Sequence, residues 1–320
     1  MRQARALFKM LNSFLAIVAI LISTSCTPKK MASNLTSKIM AGGAPSFEME
    51  PDIGIAEDTG ITLIKMIEAM QYDNPNNKTF KLILSRSYAN YSFGFLEWNM
   101  LRYRDVKPEK YNLNEERAKR FYASGQRLGL DVLSTSGVFK NALTGDMTKF
   151  QKALKNFGKG DVPKLFWTAF NWGSLINLSK DSPQALIAYP KVEAMMQRVA
   201  ELDEHYFYDG PNLFFGVSYG SRPQMFGGNP QKSKEYFEKA IRSYNRKFLM
   251  AIVLYAQTYA VQMQDPVLFD TLLNEVAVAD PAALPEQRLA NELAVERAKW
   301  LLANKDKFFD MEEMEKEVIN

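Results

Sequence analysis

The chain has 320 residues, of which 47% are hydrophobic and 12% aromatic, and a formal net charge of +4. That is enough apolar material for one large packed domain or two smaller ones, and too little charge for a nucleic-acid-binding patch. One cysteine excludes an intrachain disulfide, so the fold rests on packing alone.

Three basic residues (Arg2, Arg5, Lys9) precede an apolar run from Phe14 to Ile22. The run is short of the roughly 20 residues that span a bilayer and fits the h-region of a secretory signal peptide. Ile22-Ser23-Thr24-Ser25-Cys26 then sets small residues directly before the cysteine, as in a bacterial lipobox, with Ser23 where that motif usually carries Leu. Residues 1–25 are therefore expected to be a lipoprotein signal peptide and Cys26 the lipidated start of the mature chain. Thr27 stands where an inner-membrane retention signal carries Asp, which favours the outer membrane. Residues 26–50, with Lys29, Lys30, Ser33, Ser37, Gly42, Gly43 and Pro45, read as a flexible tether.

From Pro51 the hydrophobic pattern is helical, and residues 51–309 read as an all-α domain. Ile61, Ile64, Ile67 and Met70 mark a first helix ending near Asn74-Pro75, and a long second helix covers about Thr79 to Tyr103. A third is expected from Leu113, capped by Asn112, to Ser134, then a short one from Thr148 to Phe157. Pro163 suits the first turn of the next helix, LFWTAFNWGSLINL. Asp181-Ser182-Pro183 starts another, with a stripe from Ala185 to Leu202 that Pro190 bends.

Tyr208-Asp209-Gly210-Pro211 breaks the chain. Phe215-Gly216 and Tyr219 then reproduce the first-helix core of a tetratricopeptide repeat, and Phe237 and Ala240 stand where its second helix carries Phe and Ala. Lys247 to Gln262, a helix opened by Asp265-Pro266, and residues 285–303 complete the set. The starts at Asn229-Pro230 and Asp265-Pro266 are separated by close to the repeat period of about 34. The expectation is a tetratricopeptide-like helix-pair array of about four to five pairs, each burying its apolar face on its neighbours. Residues 310–320 read as a charged tail.

Sequence signs of catalysis are weak. Gly216-Val217-Ser218-Tyr219-Gly220 matches the nucleophile-elbow pattern, but that elbow needs a preceding strand and a later histidine, and His205, the one histidine, lies upstream. His205, Asp203 and Glu204 make a poor metal constellation, and no phosphate-cradling loop occurs. The chain reads as a non-enzyme without cofactor or metal. Two aromatic clusters stand out instead, YANYSFGFLEW from Tyr88 and FWTAFNW from Phe166. Rings at such spacings cover more than one face of a helix, and with Glu97 and Asn171 beside them they have the makeup of a ligand pocket.

Taken with the lipobox, the segments SYANYSFGFLE, LFWTAFNWGSLINLSKD and YDGPNLFFGVSYGSRPQMFGGNPQKSKEYFEKAI give a chain that resembles the T component of tetratricopeptide-associated TRAP transporters. The resemblance implies a periplasm-facing α-helical lipoprotein that forms a trimer. Each protomer would have a cavity opening toward the periplasmic substrate-binding protein of the transporter, which carries organic acids or apolar ligands. Carried onto this sequence, it makes Tyr91, Phe95, Trp98, Trp167, Asn171 and Trp172 candidates for the channel wall. Two functions stay open: a transport accessory that binds or channels a small organic ligand, and an outer-membrane-tethered scaffold for protein interaction without one.

Overall fold

The computed structural model describes residues 28–180 and 182–309, which are all-helical with no strand. The expected signal peptide over 1–25, the expected lipidation site Cys26 and the expected tail over 310–320 lie outside the described residues. Helix α1 is Pro28–Glu48, α2 Ile53–Asp73 and α3 Lys78–Tyr91, which runs through a π turn (Ser92–Leu96) into α4, Glu97–Tyr103. Then come α5 (Pro108–Leu133), α6 (Gly137–Ala142), α7 (Met147–Leu154), α8 (Val162–Asn177), α9 (Pro183–Ile187) and α10 (Tyr189–Leu202). The C-terminal half holds α11 (Tyr206–Gly220), α12 (Pro230–Ser243), α13 (Leu249–Tyr255, followed by a π turn at Ala256–Ala260), α14 (Pro266–Ala277) and α15 (Arg288–Ala303). None of these helices is long and apolar enough to cross a membrane.

Several starts are set by a side chain that accepts an otherwise unpaired N–H of the first turn. Asp52, Asn77, Asp146, Asn229 and Asp265 each do so, and Pro follows the cap of α12 and of α14 at a position where its missing N–H costs nothing. Helix α5 begins a turn earlier than Leu113 because Pro108 starts it, and Asn112 lies inside it. The stripe expected to run from Ala185 to Leu202 is two helices, α9 and α10. Pro190 opens the second, having no N–H to continue the first.

The stretch expected to be a flexible tether is helical from Pro28 to Glu48. Gly42, Gly43 and Pro45 are poor helix formers, and tertiary contacts override them. Asn34 Oδ1 accepts from Asn74 Nδ2 at 3.0 Å and from Asn77 Nδ2 at 2.9 Å. Glu48 pairs with Arg86 and accepts from Gln287 Nε2 at 2.9 Å. The inner face of α1 is thus fastened at both ends to the body.

Three apolar clusters fill the interior. One joins Phe95 and Trp98 to the helices from α12 to α15; a second surrounds Leu165, Trp167, Met195 and Phe215; a third holds Ile64, Phe80, Leu84 and Tyr122. Helix α8 lies centrally, packed on α3, α5 and α10. It approaches α5 very closely: a Cβ at Gly125 would lie 2.3 Å from Asn171 Oδ1, and one at Gly129 2.1 Å from Thr168 Oγ1.

The break near Tyr208 is a left-handed turn. Phe207, Tyr208 and Asp209 have φ of 47°, 57° and 59°, a conformation that costs non-glycine residues roughly 1–2 kcal/mol each. Their side chains offset it. Phe207 packs on Trp167 (centroids 4.7 Å apart), Tyr208 on Phe248 (5.2 Å), and buried Asp209 accepts from His205 Nδ1 at 2.6 Å.

Two outcomes are expected. Gly129→Ala should destabilise the fold by about 2 kcal/mol through overpacking, whereas Gly137→Ala, with nothing within 4 Å, should be neutral in urea unfolding. The hydrogen bond to Asp209 holds the His205 pKa above its ordinary 6.5. This contribution is complete below that value and lost as pH rises through the raised one. The urea-midpoint gap between the native chain and His205→Ala should therefore narrow on going from about pH 6 to about pH 9.

Candidate functional site

A polar group of buried Tyr122 and Arg297 and half-buried Glu97 and Ser174 occurs where α4, α5, α8 and α15 meet. Tyr122 donates to Glu97 Oε1 at 2.5 Å, and Ser174 hydrogen-bonds to the Tyr122 hydroxyl. Above them Arg297, 5% exposed, donates through Nη2 to Phe93 O at 2.5 Å and Gly94 O at 3.1 Å. Those carbonyls belong to the π turn, where the Glu97 N–H reaches back five residues to Ser92 O. Such a widened turn leaves a carbonyl without its usual intrahelical donor, and the guanidinium supplies one. The same guanidinium lies 4.8 Å from the Phe93 ring centroid and 5.7 Å from that of Trp98.

Burial pushes the Glu97 carboxyl above its ordinary range, against the Tyr122 hydrogen bond and the nearby Arg297 charge. Burial also pulls Arg297 down to about 10, against the attraction of Glu97 and Tyr122. Tyr122 is pushed far up by burial and then by Glu97. Around this group several buried polar atoms have no hydrogen-bond partner: Arg297 Nε, Trp98 Nε1, Ser92 Oγ and Asn171 Oδ1. Chemically, the group offers a cation, a carboxyl whose pKa burial raises, and aromatic faces from Phe93 and Phe170, whose rings meet edge-on at 6.2 Å.

The six residues expected to line a channel are split among the packing clusters. Phe95 and Trp98, each 3% exposed, belong to the cluster of the C-terminal helices, with Trp98 edge-on to Trp300 at 5.7 Å. Tyr91 is half-buried between Phe95 and Phe121. Trp167 is 1% exposed and donates from Nε1 to Tyr206 at 3.2 Å; half-buried Trp172 packs on the same second cluster. Asn171 is fully buried, its Nδ2 donating to Ser85 O at 2.9 Å and Trp167 O at 2.7 Å. Sequence reasoning noticed Glu97 as a polar neighbour of the aromatics. It missed Tyr122, Ser174 and Arg297, which come from three other helices and share no spacing.

Ser218 lies inside α11, with no strand before it among the described residues. Its hydroxyl pairs with that of Tyr189 and accepts from Arg222 Nη2 at 2.9 Å, so the elbow geometry is not formed.

The raised Glu97 pKa has a testable sign. An acid with a raised pKa stabilises the fold most below the ordinary 4.5, and that contribution is lost as pH rises through the shifted value. Glu97→Gln is neutral throughout, so its stability relative to the native chain should improve with pH above about 4.5 in parallel urea titrations.

A protein of Treponema pallidum (strain Nichols), described only as an uncharacterized protein, is 23% identical over 311 residues, covering 92% of this chain and 96% of that protein. The family model of the TRAP transporter T-component matches residues 49–309. That span takes in α2 through α15 and the whole polar group, and the chain belongs to the TRAP transporter T-component family.

Proposed function

We propose that this chain is a non-enzymatic, periplasm-facing accessory component of a TRAP-type secondary transporter. It binds or channels a small organic ligand, apolar or a carboxylate, and docks the periplasmic substrate-binding protein. In this reading the helices pair in a tetratricopeptide-like array, three copies assemble, and Cys26 carries the lipid that holds the protein to the outer membrane. The match to the T-component family supports the transport setting.

The ligand reading is carried by Glu97. It is crowded by protein deep in the molecule, yet it remains half-buried instead of fully buried. Phe93, Phe170 and Ser174 around it are half-buried too, beside fully buried Tyr122 and Arg297. Partial exposure at such depth fits side chains facing an internal opening, with apolar walls and a few convergent polar groups. Among the earlier candidates, Tyr91 and Trp172 share this half-buried state. Trp167 is packed so completely that its truncation tests the core, at a cost of about 3–5 kcal/mol.

Native mass spectrometry of the full chain purified from its own cell envelope tests the proposal. The expected species carries a small-molecule adduct and co-purifies with a TRAP substrate-binding protein. Ser174→Leu, which would fill the proposed opening beside Tyr122, should lose the adduct with unchanged far-ultraviolet circular dichroism. A chain without adduct that captures only unrelated envelope proteins would replace this reading with that of a ligand-free scaffold.

A further inference from the structure

Helix α1 has two apolar faces. The inner one, through Met40, Ala44 and Phe47, packs on the body. On the opposite face Met31, Leu35 and Ile39 follow one another at intervals of four residues and are 62%, 62% and 65% exposed. Residues at i, i+4 and i+8 form one line along a helix, here about 12 Å long. Lys38 flanks this line and Lys30 lies near its N-terminal end; both are exposed, and neither has an ion-pair partner among the described residues. Between Pro28 and Phe47 the helix has three lysines and no acidic residue.

We infer that α1 is an interfacial helix, lying with its Met31–Leu35–Ile39 face in the headgroup region of an anionic lipid surface. The face combines what such binding needs, apolar side chains that reach below the headgroups and cations that meet the phosphates. The chain outside the structure ends where this face begins: 27 residues precede Pro28, including the apolar run Phe14 to Ile22 and Cys26. A lipid on Cys26, as in the reading proposed above, would hold the first turn of α1 at the surface. Three side chains in a single row fall well short of the roughly 800 Å² per partner of a specific protein interface. Because Asn34 and Glu48 fasten α1 to α3 and its neighbours, the bound helix would seat the whole domain against the lipid.

The test uses the full chain reconstituted into vesicles of phosphatidylethanolamine and phosphatidylglycerol. An environment-sensitive fluorophore is placed through Leu35→Cys, a position exposed enough to leave the core untouched, and through Val278→Cys, 86% exposed on the C-terminal half, as reference. Brominated lipids should quench the label at position 35 several-fold more than the one at 278. Ile39→Glu should abolish the difference with the helical signal unchanged. Lys30→Glu with Lys38→Glu should weaken it, as should about 1 M salt, at which surface charges are screened beyond about 3 Å. Equal quenching at both positions overturns the inference. So does a label at 35 that self-quenches between protein copies in detergent without lipid, which would make the face a subunit contact.

Discussion

Arg297 ties the two halves of the molecule together. It reaches from the last long helix to carbonyls of Phe93 and Gly94, some two hundred residues earlier in the chain. A desolvated guanidinium is expensive unless its N–H groups and charge are answered. Here two carbonyls, two aromatic faces and a nearby carboxyl share that task. In return the guanidinium supplies donors to two carbonyls of the π turn. Glu48 repeats the pattern at the periphery, linking α1 to Arg86 on α3 and to Gln287 just before α15. Closure of the first helices onto the last is therefore polar as well as apolar.

How far the sequence could be read follows from how local each cause is. Asn229, Asp265 and the prolines after them announce helix starts because capping involves only the next three residues. The apolar stripe after Pro183 was legible for the same reason, apart from its interruption at Pro190. The helix Pro28–Glu48 was not legible. Its own residues favour a loop, and it is held by Asn74, Asn77, Arg86 and Gln287 from elsewhere in the chain. The π turn at Ser92–Leu96 likewise depends on a donor supplied from α15.

The candidate site divides along the same line. Aromatic density drew attention to α3, α4 and α8, which carry Glu97 and Ser174 of the polar group, but could not say which rings pack into the core. Trp167, Phe95 and Trp98 are large enough to dominate a core and do so. The polar members that give the site its chemistry, Tyr122, Ser174 and Arg297, look unremarkable in sequence because each is an isolated residue on an otherwise ordinary helix face.

Tyr122 and Ser174 project from α5 and α8, and the spacing of those two helices is fixed where Gly125 and Gly129 let the backbones meet Asn171 and Thr168. No side chain at either glycine can shrink further, and any enlargement forces the helices apart. The separation of α5 from α8 is consequently invariant, like the fixed jaw of a calliper. In the proposed ligand reading, a change of girth falls to the movable jaw, substitutions on α4 and α15. The glycine pair on α5 thus leaves any widening of the space around Tyr122 to those two helices.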